Sequence, residues 1–164
     1  VGEILKRPEV AGIVLDVRNN PGGYLQGAVD IASEFLKTGS VVVTEERSDG
    51  SKSEFKVERL GQLVNTPVIV IINEGSASAS EILAGALRDI RKITLVGEKT
   101  FGKGTIQEPL QLEGGSGLHI TIARWLTPSG FWVNEKGLEP DTLIEDDLDT
   151  PADEQLEKAI ELLK

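Results

Sequence analysis

The sequence predicts an α/β fold built on a parallel-rich sheet with crossover helices. Three observations carry the prediction. Val68 to Ile72 is an unbroken run of β-branched residues, the mark of a strand covered on both faces. After a turn signal at Asn73-Glu74-Gly75, apolar residues recur at helical spacing as Ile82, Leu83, Ala86, Leu87 and Ile90. Strand, helix and strand alternate again on either side of this unit, the pattern of right-handed β-α-β connections.

Each element has its own local signal. Residues 1–9 read as the end of a helix and residues 10–17 as a buried strand, closed by a turn at Arg18-Asn19-Asn20-Pro21-Gly22-Gly23. Leu25, Ala28, Val29, Ala32, Phe35 and Leu36 keep helical spacing, with Gly39 placed as the residue just past the helix end. Val41 to Thr44 is a short strand, and Asp49-Gly50 marks a hairpin turn before the alternating stretch Glu54 to Val57. The central strand and helix follow, then a strand at Ile93 to Gly97 and a Gly-flanked loop from Glu98 to Gly104. Thr105 to Leu112 and Gly117 to Arg124 form a hairpin through Glu113-Gly114-Gly115. Thr127-Pro128-Ser129-Gly130 is a turn, and residues 136–141 are a loop. A closing amphipathic helix from Asp153 to Leu163 has Ala152, Leu156, Ile160 and Leu163 on its apolar face.

Length and composition narrow the function. The chain has 164 residues, 39% of them hydrophobic, with 18 glycines, enough for a single domain with a real core. A net charge of −10 argues against nucleic acid and anionic membrane surfaces as partners. There is no cysteine and one histidine, which rules out disulfides, a thiolate nucleophile and a Cys- or His-rich metal site. No stretch reaches the roughly 20 apolar residues of a membrane-spanning helix. The chain opens mid-helix without a methionine, so it reads as a piece of a longer protein and the lack of a targeting segment carries little weight.

The chemistry-bearing stretch is Ser76-Ala77-Ser78-Ala79-Ser80-Glu81, where strand gives way to helix. A serine among small residues at such a turn projects its hydroxyl where backbones crowd, as a nucleophile elbow does. The helix start adds free N–H groups and a partial positive charge suited to an oxyanion. Ser78-Ala-Ser-Glu81 is also a capping-box pattern, which needs no chemistry at all. A nucleophile needs a base. His119 lies on one face of a strand, where a lone histidine is more often structural. Lys103, in Thr100-Phe101-Gly102-Lys103-Gly104, has glycines that let the backbone approach a neighbour, with Phe101 and Ile106 to desolvate the amine. A lysine held neutral can accept a serine proton, and Gln107 can orient it without adding charge. The simpler reading of Lys103 is a surface-loop lysine. Gly97 to Lys103 also fits the spacing of a phosphate-binding loop, but Gly104 stands where a Ser or Thr should bind magnesium and a strand with Pro109 follows instead of a helix. Nucleotide binding is set aside. The Asn19 to Gly23 loop can offer bare N–H groups as a second arm of an oxyanion hole beside Ala79, or be an ordinary tight turn.

Four stretches taken together resemble the carboxy-terminal processing proteases, or tail-specific proteases, a serine peptidase family with a Ser–Lys pair. They are Gly12 to Gly23, Asn73 to Ile82, Gly97 to Gly104, and Thr127 to Gly130 with Gly137 to Asp141, in the family's order. The resemblance implies Ser78 as nucleophile, Lys103 as general base and Gln107 as the residue orienting it. It also implies Gly23 or Gly22 with Ala79 as oxyanion donors and Glu81 as a supporting residue. It implies a crotonase-like (ClpP/crotonase) β-β-α core, no cofactor or metal, substrates with apolar C-terminal tails, and a location outside the cytoplasm, such as a bacterial periplasm or cell envelope. Family members carry a peptide-binding PDZ module and an N-terminal segment that this chain lacks, so an isolated core, residues 1–164, of low activity is expected; a homo-oligomer is left open. Two competing readings stand beside it: a catalytically silent scaffold or binding module on the same fold, and a crotonase-type acyl-CoA enzyme, which would not need the Ser78–Lys103 pair.

Overall fold

The computed structural model describes residues 1–7, 9–146 and 151–164. Its elements are, in chain order, α1 (Gly2–Leu5), β1 (Ile13–Asp16), α2 (Leu25–Phe35), β2 (Val41–Arg47), β3 (Lys52–Lys56), β4 (Val68–Ile72), α3 (Ala79–Arg91), β5 (Leu95–Gly97), β6 (Thr105–Gln111), β7 (Gly117–Leu126), β8 (Thr142–Leu143) and α4 (Glu154–Leu162). A short 3-10 turn, Glu113–Gly115, closes the β6–β7 hairpin.

β1, β4, β5 and β8 form a wholly parallel sheet in the order β1-β4-β5-β8. β4 is central, and all its residues are buried. The two-residue period of a strand explains why. Val68, Val70 and Ile72 face the large core with Val29, Ala32, Leu83 and Leu87 of α2 and α3, while Ile69 and Ile71 face a smaller core with Ala159 and Leu156 of α4. The parallel-rich α/β core predicted from the sequence is therefore present.

A second sheet, antiparallel in the order β3-β2-β7-β6, was not foreseen as one unit. Its hairpins fall where expected, with Gly50 in the left-handed region (φ 81°) at the β2–β3 turn. They are joined by β2–β7 pairing over Thr44–Arg47 and Ala123–Leu126. β3 and β6 are its two edges.

Several local expectations are corrected. α2 ends at Phe35 and Leu36 is already extended, so Gly39 does not cap the helix but sits in the following turn, where its N–H donates to Val57 O. Ile90 is exposed on α3. On α4 the buried residues are Gln155 and Ala159, and Ile160 and Ala152 face solvent. The strand expected over 10–17 shortens to β1 and is only half-buried. β8 extends the sheet just past the loop that ends at Asp141. Among the described residues no helix is long and apolar enough to cross a membrane.

Candidate active site

β4 delivers the chain into the Asn73 turn, and the backbone reverses into α3 through Ser78. Ser78 has φ 54° and ψ −114°. An ordinary N-cap residue is extended; a serine at positive φ is held in a strained conformation that its surroundings must impose. They do so from three sides.

The first is the Asn19–Gly23 loop. Asn73 Oδ1 accepts the Asn19 N–H (2.9 Å), and Asn73 Nδ2 donates to Asn19 Oδ1 (3.1 Å). Asn20 O accepts both the Ala77 N–H and the Ser80 hydroxyl, each at 3.0 Å. Gly22, at φ 93°, lies so close to the elbow that a Cβ there would stand 2.6 Å from Ala77 O and 2.7 Å from Ala79 N; only glycine fits. The Gly22 N–H donates to Asn20 Oδ1 (3.0 Å). Among the described residues, the N–H groups of Gly23 and Ala79 have no acceptor.

The second is Ser76. It is fully buried, donates to Val17 O (2.8 Å) and accepts from the Asn73 N–H (3.1 Å), tying the elbow to the end of β1.

The third is Glu81, 0% exposed in the first turn of α3. Oε2 accepts the N–H of Ser78 (2.8 Å) and of Lys103 (2.9 Å); Oε1 accepts the Thr100 hydroxyl (2.5 Å) and the Gly102 N–H (2.8 Å). Ser78 and Glu81 form the capping box that the sequence offers, at a backbone strained as in an elbow, so the two readings of this stretch coexist. The other three bonds fasten the Lys103 loop to the elbow. Indole N–H groups fix the loop's far side: Trp125 donates to Lys103 O and Trp132 to Gly104 O, both at 2.9 Å. The flanking glycines serve close approach, since a Cβ at Gly104 would stand 2.7 Å from Asn134 N.

Ser78 and Lys103 line one cavity of about 330 Å³. Gly23, Tyr24, Leu25, Ala79 and Ile82 form one side; Thr105, Ile106, Gln107, Pro109, His119 and Trp125 form the other. The predicted residues Ser78, Ala79, Gly23, Lys103 and Gln107 are thus brought together. Of the two residues expected to desolvate the amine, Ile106 lines the same cavity, but Phe101 turns outward at 66% exposure into a different cavity with Asn19 and Glu74, and Lys103 is an exposed residue. Among the described residues, Lys103 Nζ makes no hydrogen bond with Ser78 or Gln107. No cluster of His, Asp or Glu suited to a metal occurs among the described residues. Sequence reasoning missed the asparagines Asn19, Asn20 and Asn73, and the two tryptophans. The asparagines carried a signal in their turn-forming composition; the tryptophans carried none.

A serine at a strained strand-to-helix elbow with free backbone amides beside it is an arrangement met in serine hydrolases. The family model of peptidase family S41 matches residues 2–144, and the chain belongs to that family. The carboxyl-terminal-processing protease of Synechocystis sp. is 43% identical over 159 residues, covering 93% of this chain and 36% of that protein. Carboxy-terminal processing protease CtpA of Bacillus subtilis is 39% identical over 136 residues, 83% of this chain and 29% of that protein. Among solved structures, a photosystem II D1 C-terminal processing protease superposes with a TM-score of 0.79 at 40% identity, over 87% of this chain and 36% of that one. The tricorn protease, with a TM-score of 0.61 and 24% identity, shares the fold. The chain spans about a third of the length of the curated relatives it matches.

Proposed function

We propose that this chain is the core of a serine endopeptidase that cuts proteins near apolar C-terminal tails through an acyl-enzyme. The observation that carries the reading is the strained Ser78 elbow, with unpartnered Gly23 and Ala79 N–H groups beside it and Lys103 in the same cavity. In this mechanism the uncharged Lys103 amine accepts the Ser78 hydroxyl proton as Oγ attacks the scissile carbonyl carbon. The carbonyl oxygen becomes the oxyanion and accepts the Gly23 and Ala79 N–H groups. Gly23 is favoured over Gly22 because the Gly22 N–H is already taken by Asn20. As the C–N bond breaks, Lys103 returns the proton to the leaving amine; water then attacks the ester by the same route and Ser78 is restored. Gln107 orients the amine, and Glu81 holds the two backbones in register. The amine gains its desolvation from the bound substrate, which covers the cavity.

In the full-length protein, location outside the cytoplasm and capture of tails by a PDZ module follow from the family resemblance and belong to this proposal. No cofactor or metal takes part in it.

One observation favours a second reading, a silent scaffold: Lys103 is an exposed residue whose amine is not hydrogen-bonded to Ser78. Cleavage of a peptide with an apolar C-terminal tail separates the two. Ser78→Ala and Lys103→Ala should each lower kcat/KM by about a thousandfold or more with unchanged circular dichroism, while His119→Ala should cleave normally. Undiminished cleavage by either of the first two variants overturns the mechanism.

A further inference from the structure

Gly27 lies inside α2, where a glycine costs about 1 kcal/mol relative to alanine. Packing does not require it, because a Cβ there would meet nothing within 4 Å. What its bare Cα leaves open is a second cavity, of about 310 Å³. Leu15 of β1, Ala28 and Ile31 of α2, and Leu83 of α3 give that cavity an aliphatic lining. Its polar rim is already paired: Asp16 carries Arg18 (2.7 and 3.0 Å), and Asn20 holds Gly22, Ala77 and Ser80. The remaining surface is apolar and open, with Ile31 47% exposed.

This cavity adjoins the Ser78 cavity across the Gly22–Gly23 loop, since Gly23, Tyr24 and Ala79 line both. Tyr24 stands where the two meet, 91% exposed. A tyrosine that covers nothing of its own chain is suited to lie against another. An extended polypeptide places alternate side chains on one face about 7 Å apart, a spacing that suits adjoining cavities separated by one loop.

We propose that the Gly27 cavity is a second side-chain subsite, taking a branched aliphatic side chain of the polypeptide substrate within two residues of the scissile bond, with Tyr24 as the wall over which the chain passes. This rests on the peptidase reading and adds to it a substrate class: extended chains with two apolar residues near the cut. Gly27→Leu fills the cavity while favouring the helix, so the variant keeps its fold; Gly27→Ala fills it less.

The test uses peptides that differ only by Leu or Ala at each of the two positions on either side of the cut. At one position, Gly27→Leu should lower the Leu-to-Ala ratio of kcat/KM about tenfold or more, Gly27→Ala should lower it less, and thermal stability should not fall. The same peptides are bound to Ser78→Ala protein with and without Gly27→Leu, read by fluorescence polarisation; the preference for Leu should disappear with the filled cavity. An unchanged ratio at every position, or equal losses on Leu and Ala peptides, overturns the subsite. Because the binding arm needs no cleavage, absent hydrolysis with a retained, Gly27-dependent Leu preference would count against the nucleophile and not against the subsite.

Discussion

Glu81 is the residue on which the two halves of the site meet. Its buried carboxylate takes four donors, one from the elbow at Ser78 and three from the Thr100–Lys103 loop. A fully buried carboxylate is tolerated only when so satisfied. Glu81→Gln keeps the size but replaces one acceptor oxygen with an N–H₂ group that meets donors. The expected outcome is a loss of about 3 kcal/mol of stability or more, read as a lower urea midpoint, together with a fall in kcat/KM as Ser78 and Lys103 lose their common anchor. An unchanged midpoint would show that the carboxylate is dispensable. At this scale the sequence was legible only in part. Ser78 could be singled out because small residues at a strand-to-helix switch announce an elbow, and Glu81 because it stands at capping distance. That Glu81 also binds residues 100–103 depends on a contact between segments some twenty positions apart, which no local pattern encodes. The exposure of Lys103 was misjudged for the same reason: Phe101 alternates away from the amine it was expected to cover.

At the scale of elements, periodicity located β4, α3 and α2, because each buries an apolar face whose spacing is written in the chain, while the two hairpins were legible through their turn residues Asp49-Gly50 and Glu113-Gly114-Gly115 although β3, β6 and much of β7 are exposed. α4 was found with its face half right, since Leu156 and Leu163 pack on the smaller core while Ala152 and Ile160 face solvent. Its buried face is led by Gln155, which donates to Glu98 Oε1 and Ile144 O at 2.9 Å each, and a polar residue satisfied in the core cannot be told from an exposed one by hydropathy. α4 is also fixed by charge. Asp153 caps it through the Leu156 N–H (2.8 Å) and pairs with both terminal nitrogens of Arg18, at 2.9 and 2.8 Å. Hydrogen bonding from Arg18 holds the Asp153 carboxyl below the usual aspartate value of 3.8. A depressed value in the folded state stabilises the fold above the unfolded value, and that contribution is lost as pH falls through the folded one. Asp153→Asn should therefore lower the urea midpoint at pH 7, and the gap to the unaltered protein should close progressively below about pH 4. A gap that stays constant down to pH 3 would mean that the ion pair contributes nothing.

At the scale of the whole molecule, the site lies where two sheets meet. The parallel sheet supplies the elbow and the Gly22–Gly23 loop, and the antiparallel sheet supplies β6, Trp125 and the far wall of the cavity. The parallel half was readable from strand–helix alternation. The union of the two hairpins into a second sheet was not, since β2–β7 pairing joins residues about eighty positions apart and strands announce their faces but not their distant partners. The proposed mechanism requires Lys103 to activate Ser78, and a fluorophosphonate that reacts only with activated serines tests this directly. Treatment of the full-length protein followed by peptide mass spectrometry should find the adduct on Ser78, and Lys103→Ala should abolish it. An unlabelled Ser78, or equal labelling with and without the lysine, would contradict the account.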